Sequence, residues 1–221
     1  MTAHVVRCGS VPVPIALASL PVFEAGVVPD ADDLVDAGMT LEAVEQPRLI
    51  VVGTDGAFAA VLTWLMRTER LHVEVGFVPG ETSRAADIYG TGSGAAAAVR
   101  ALRGSAEEMP LMRDDFGNAV VGEVIVTGPG GGPIEGEAYV DDTLVFSGVV
   151  RSVRVEPTVA LPGVRARSFT GRILARRRWI AGRAFQLGSR GVEVTRDGIA
   201  DQRTLPRASF YRFEQPWLLV R

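Results

Sequence analysis

The chain contains no lysine: all 23 of its basic residues are arginine. That absence excludes Schiff-base chemistry, a Walker-type phosphate loop and the strand lysine of protein kinases, each of which needs a primary ammonium at a set place. Cysteine is almost as scarce. Cys8 stands alone, so no internal disulfide can form, and a reducing compartment is expected. With only His4 and His72 beside it, a structural zinc site lacks ligands. A nucleophilic Cys8 would also need a basic neighbour, so it reads as a plain buried or half-buried thiol. Long apolar runs are missing too. Val11 to Phe23 is broken by Pro12, Pro14 and Pro21 and follows no basic segment, unlike a signal peptide or a bilayer span. A soluble, cytoplasmic protein is the expectation.

What is present is an ordinary globular composition, with 47% hydrophobic and 22% charged residues over 221 positions. The charge is unevenly placed. Residues 1–150 hold 8 arginines against 21 acidic residues, whereas residues 151–221 hold 15 against 5. Such a split predicts two differently used halves.

The first half alternates between strand and helix signals. Arg48 to Val52 is a short apolar β run ending at a glycine. From Phe58, apolar residues recur at Val61, Leu62 and Leu65 on one helical stripe. Val73 to Val78 is a second apolar strand, and Gly94 to Arg103 an alanine-rich helix stopped by Gly104. This order predicts a parallel sheet with crossover helices. The second half changes period. Val120–Thr127, Glu137–Val140, Thr143–Val150, Arg151–Glu156 and Val192–Arg196 are short β-type runs. They are separated by Gly-Pro-Gly-Gly-Gly-Pro at 128–133, Asp141-Asp142 and Asp197-Gly198. The expected fold class is therefore a parallel-sheet α/β domain of nucleotide-binding type, residues 1–112. An antiparallel, β-sandwich-like domain, residues 113–221, follows it.

The turn Gly53-Thr54-Asp55-Gly56-Ala57 joins a buried strand to a helix. Backbone N–H groups at such a helix start bind phosphate without a cationic side chain. Glycine at 53 and 56 would allow positive φ and close approach of a ligand. Asp55 could hold a magnesium ion or take a proton from a hydroxyl; alternatively it is only the helix N-cap. A second turn, Pro79-Gly80-Glu81-Thr82-Ser83, follows the next strand. Consecutive turns of a parallel sheet fall at one carboxyl edge, where ligands bind.

Together with Val51-Val52 and Val75-Gly76-Phe77-Val78, these two turns resemble the catalytic domain of the diacylglycerol kinase and sphingosine kinase superfamily. That family has a GGDGT turn, then a strand and a Pro-x-Gly-Thr-Gly-Asn turn, then an Asp-Gly-Glu turn in its second domain. Asp197-Gly198-Ile199, with Pro206 beyond, is the counterpart of the last, and Trp217 to Arg221 looks like a closing strand of that second domain. The resemblance implies ATP-dependent phosphorylation of a lipid or hydrophobic alcohol, with Mg²⁺. Gly53, Thr54, Asp55, Gly56, Ala57, Thr82 and Ser83 would then bind the nucleotide, and Asp55 and Asp197 would be catalytic. Thr54, Ala57, Glu81, Ser83, Arg84 and Ile199 depart from the family pattern. They support the alternative of an inactive pseudokinase that binds a nucleotide, a lipid or a protein. Asp197-Gly198 is also a standard hairpin signal.

Arg165, Arg167, Arg172, Arg176, Arg177, Arg178 and Arg183 lie close together, interleaved with Phe169, Ile173, Leu174, Trp179 and Ile180. Arg172 and Arg176 to Arg178 are the candidates for an anionic partner, such as a lipid headgroup at a membrane surface. Otherwise these arginines pair with the acidic half, within the chain or across a homodimer. Nucleic acid is disfavoured by the pI of about 5.5.

Overall fold

The computed structural model describes residues 2–170 and 178–221. They form two compact units. The first comprises the residues up to Met109 together with Gln215–Arg221, and the second is Pro110–Glu214.

The first unit is built on β1 (Thr2–Cys8), β2 (Val22–Ala25), helix α1 (Val35–Glu42), β3 (Pro47–Gly53), helix α2 (Asp55–Arg67) and β4 (Glu74–Pro79). Two further helices, α3 (Arg84–Tyr89) and α4 (Gly94–Arg103), and strand β5 (Ala106–Met109) follow. The sheet order is β2-β1-β3-β4-β17-β5, where β17 (Trp217–Val220) is the last strand of the chain. All neighbours are parallel except β17 and β5. The apolar continuity of Leu49 to Val52 has its reason here: every residue of β3 is buried, as a strand covered on both faces requires.

Packing then fixes the helices. Phe58 of α2 stacks on Phe77 of β4 with centroids 4.4 Å apart and meets the edge of Trp217 at 5.6 Å. Tyr89 of α3 meets Trp217 from another side at 5.4 Å. Such pairs contribute about 0.5–1.5 kcal/mol each beyond burial, so they tie α2, α3, β4 and β17 together. Helix α4 lies so close to β4 that a Cβ on Gly76 would sit 2.7 Å from the Ala101 Cβ. Buried Arg48 ends that helix from outside. Its guanidinium donates to the carbonyls of Ala101, Leu102 and Gly104 at 3.3, 2.8 and 3.1 Å, and pairs with Glu74 at 2.6 Å. A cation at a helix C-terminus answers both the orphan carbonyls and the dipole.

The second unit carries β6 (Met112–Asp114), β7 (Ala119–Val120), β8 (Val124–Thr127), β9 (Ile134–Val140), β10 (Thr143–Val150) and β11 (Ser152–Pro157). It continues with β12 (Val164–Phe169), β13 (Ile180–Gly182), β14 (Ala184–Arg196), β15 (Ile199–Ala200) and β16 (Leu205–Arg212). Every pairing among them is antiparallel. The long β14 is shared. Residues 184–188 pair with β9 and β16, the register breaks between Gly188 and Val192, and residues 193–196 pair with β8. Both parts of the sheet contribute to one apolar core around Phe146, Phe185, Phe210, Val126 and Val155. The α/β fold followed by a large antiparallel β unit agrees with the sequence reading.

Three details differ from it. Helix α2 begins at Asp55, a turn earlier than the apolar stripe shows. The strand Trp217–Val220 belongs to the first unit's sheet and not to the antiparallel one. The division between units falls after Met109, with residues 215–221 returning to the first unit, so it differs from a single cut after residue 112. A pairing such as Leu218 with Glu74 leaves no trace in local sequence.

Candidate functional site

In the first unit, β1 leads to β2 on one side while β3 leads to β4 on the other. Connections leaving in opposite directions open a crevice at the carboxyl ends of such strands. Cys8 at the end of β1 and Gly53 at the end of β3 meet there. A Cβ on Gly53 would stand 2.9 Å from the Cys8 Cβ and 3.0 Å from the Ala57 Cβ. Glycine is therefore required for close packing. Neither Gly53 nor Gly56 has positive φ, which corrects that part of the expectation.

Thr54, not Asp55, caps α2: it has extended backbone angles, and its hydroxyl accepts from the Ala57 N–H at 3.2 Å. Asp55 is the first helical residue and turns its carboxylate towards the neighbouring turn. There it accepts from the Ser83 hydroxyl, and from the backbone N–H groups of Arg84 at 2.8 Å and Ala85 at 3.1 Å. Ser83 in turn caps the Ala86 N–H at 2.9 Å. The two turns are further joined by the Gly80 N–H donating to the Gly53 carbonyl at 3.3 Å. The structure thus brings Thr54, Asp55 and Ser83 together. Thr82 and Glu81 lie exposed beside them. Electrostatically, the amides at the start of α3 already hold an anion, the carboxylate of Asp55.

Cys8 is buried at this edge. Burial, with the Asp33 charge adding to it, pushes its thiol up to about 12. It is an inert thiol, as the sequence suggests.

Asp197 lies in the second unit on the hairpin from β14 to β15. Both Asp197 and Gly198 have positive φ, +48° and +83°, the geometry of a tight Asp-Gly hairpin turn. Its carboxylate accepts from three successive backbone N–H groups, Val121 at 3.0 Å, Gly122 at 2.7 Å and Glu123 at 3.0 Å. It is 8% exposed. Asp197 thus holds the loop between β7 and β8.

Part of the arginine-rich segment is described. Arg165 forms a double hydrogen bond with buried Glu156, at 2.9 and 2.6 Å. Arg165 and Arg167 flank Trp179 at 4.6 and 4.3 Å from its ring centre. Arg165 and Arg167 are therefore built into the β11–β12–β13 surface. Arg178 is exposed. Arg172, Arg176 and Arg177 lie outside the described residues.

The fit to Mg²⁺ can be read from the two aspartates. Both oxygens of each are engaged by backbone N–H groups or the Ser83 hydroxyl. Among the described residues no group of three or more His, Cys, Asp and Glu side chains converges. Each aspartate is held by its own set of donors, and among the described residues neither belongs to a cluster of metal-ligating side chains. The 13-residue helix α2 starts at the crevice, with Thr54 capping its Ala57 N–H and the acidic Asp55 in its first turn. No helix among the described residues is long and apolar enough to cross a membrane.

The sequence matches no family model and no curated protein. Solved structures do match. A diacylglycerol kinase from Bacillus anthracis str. Sterne superimposes with a TM-score of 0.74 at 11% identity, over 99% of this chain and 96% of that one. An NAD kinase from Archaeoglobus fulgidus in complex with ATP gives 0.57 at 14% identity, over 100% and 94%. The yeast NADH kinase complexed with NADH gives 0.53 at 10%, over 100% and 84%. The chain has the fold shared by these kinases, as the motif resemblance implies.

Proposed function

We propose that the protein is a binding module built on this kinase fold and does not transfer phosphate. One observation carries the reading: the Asp55 carboxylate is consumed as a clamp between the two turns, on Ser83, Arg84 and Ala85. A group held by three donors is poorly placed to accept a hydroxyl proton or a metal ion. Asp197 is held likewise by the 121–123 amides. Phosphoryl transfer depends on positioning and on neutralising charge, and this edge presents Asp55 and exposed Glu81 to an incoming phosphate.

An adenine nucleotide is the first ligand to test, because the α2 amides remain and a structure of the same fold holds ATP. Lipid and protein are the other candidates, and an anionic membrane surface or a homodimer belongs among the partners to be tested. The competing reading is ATP-dependent phosphorylation of a lipid. It is favoured by the likeness to a diacylglycerol kinase and needs Asp55 to leave its three partners.

Calorimetric titration of the full chain with ATP, in Mg²⁺ and again in EDTA, tests the proposal. The expected result is the same affinity in both, since no aspartate bridges a metal. Binding that requires Mg²⁺ and disappears in Asp55→Asn would overturn it.

A further inference from the structure

The second unit has a cleft that none of the kinase-type motifs reaches. Its volume is about 500 Å³, and its lining includes Arg113, Arg183, Gln186, Ser209, Tyr211 and Arg212. A space of this size suits a small organic ligand.

Strand alternation builds it. On β6, β14 and β16 the residues Met112, Phe185, Leu187, Ala208 and Phe210 enter the apolar core. Arg113, Ala184, Gln186, Ser209 and Tyr211 therefore project from the opposite face. Cross-strand register sets them in rows, with Arg113 beside Tyr211 and Gln186 beside Ser209.

The lining is rich in donors that are only partly engaged; Arg212, for example, donates one N–H to the Pro162 carbonyl at 3.4 Å. Arg113 lies over the rings of Tyr211 and Phe213, 5.1 and 4.8 Å from their centres, and donates to the Tyr211 hydroxyl at 2.8 Å. Its Nε is buried without a hydrogen-bond partner. Among the described residues, Arg113, Arg183 and Arg212 form no ion pair, although many other arginines of the chain do. Gln186 and Ser209 make no side-chain hydrogen bond there either. Two acidic residues, Asp141 and Glu214, also line the cleft. The Asp141 carboxylate is taken up by the backbone N–H groups of Arg183 and Ala184 at 3.0–3.1 Å, and Glu214 is exposed.

We infer that this cleft binds a phosphomonoester. Three guanidinium groups with a phenol, a hydroxyl and an amide are suited to a group that offers three acceptor oxygens around one centre. A planar guanidinium held over two rings needs little further ordering to engage it. The volume beyond the phosphate leaves room for an organic body. The ligand is either a free phosphomonoester or the headgroup of a monoester phospholipid, since both present the same terminal group.

The test is calorimetric titration of the full chain with sn-glycerol 3-phosphate, paired with co-sedimentation on phosphatidylcholine vesicles with and without phosphatidic acid. Saturable binding in either arm supports the site, and the arm that binds identifies the source. Arg183→Gln, whose exposed side chain bears no fold contact described above, should weaken binding about tenfold with unchanged thermal unfolding. Arg113→Gln should weaken it further and also cost stability through the lost ring contacts. Asp55→Asn should leave it intact, which separates this site from the nucleotide reading. Absence of binding in both arms at millimolar ligand overturns the inference, as does binding that Arg183→Gln and Arg113→Gln leave unchanged.

Discussion

Replacing Asp55 by alanine removes the acceptor for the Ser83 hydroxyl and for the first two amides of α3, Arg84 and Ala85. Losing a capping acceptor costs about 0.5–2 kcal/mol. A charged acceptor lies at the top of that range, and the interaction with the helix dipole adds about 0.5 kcal/mol. Asp55 is half-buried, so water recovers part of the loss. The expected destabilisation is about 2 kcal/mol, which for a chain of this length lowers Tm by about 4–8 °C. Thermal unfolding followed by circular dichroism measures it. Amide exchange at Arg84 and Ala85 locates it, since those two N–H groups should lose protection first. Asp55→Asn keeps one acceptor oxygen and should lose about half as much. A carboxylate kept for chemistry gives the opposite result, because removing it commonly leaves stability unchanged or raised. An Asp55→Ala protein as stable as the wild type, with Arg84 and Ala85 still protected, refutes the clamp.

Three further outcomes follow from the packing. Arg48→Met leaves Glu74, two α4 carbonyls and the Gly104 carbonyl without their guanidinium and should cost about 3 kcal/mol in urea unfolding. Gly76→Ala drives a Cβ to 2.7 Å from that of Ala101; a loss of about 1–3 kcal/mol is expected, part of it restored by Ala101→Gly in the double variant. Cys8 should resist thiol reagents in the folded protein. Its pKa is raised from 9.0 to about 12, so the folded state keeps the proton longer than the unfolded chain. Its contribution to stability is complete below pH 9.0 and is lost as pH rises towards 12; Cys8→Ala should show a shallower alkaline decline than the wild type.

The sequence carries much of the first unit openly. Arg48 to Gly53 is apolar throughout because both faces of β3 are covered, and Gly94 to Gly104 reads as a helix because alanine fills it and glycine stops it. The cap of α2 is misplaced by one residue in the sequence reading, because Thr54 and Asp55 are adjacent and both suit an N-cap; Thr54 fills it. The clamp itself is harder to read, because Asp55 and Ser83 are brought together across helix α2 and strand β4. The return of β17 to the first sheet rests on pairing between Leu218 and Glu74, far apart in the chain. β14 is longer than its apolar run because Gly188 and Gly191 interrupt the alternation at the bend. The Arg113 cleft joins residues nearly a hundred positions apart, and of its three arginines only Arg183 belongs to the arginine-rich segment that draws attention in the sequence.

Phosphate transfer is the most direct measure of the central claim. Wild type and Asp55→Asn are incubated with γ-labelled ATP, Mg²⁺ and diacylglycerol in mixed micelles, and label in the lipid is counted. With Asp55 spent on Ser83, Arg84 and Ala85, both proteins should give the background of a protein-free control. Transfer by the wild type that Asp55→Asn abolishes would contradict the account.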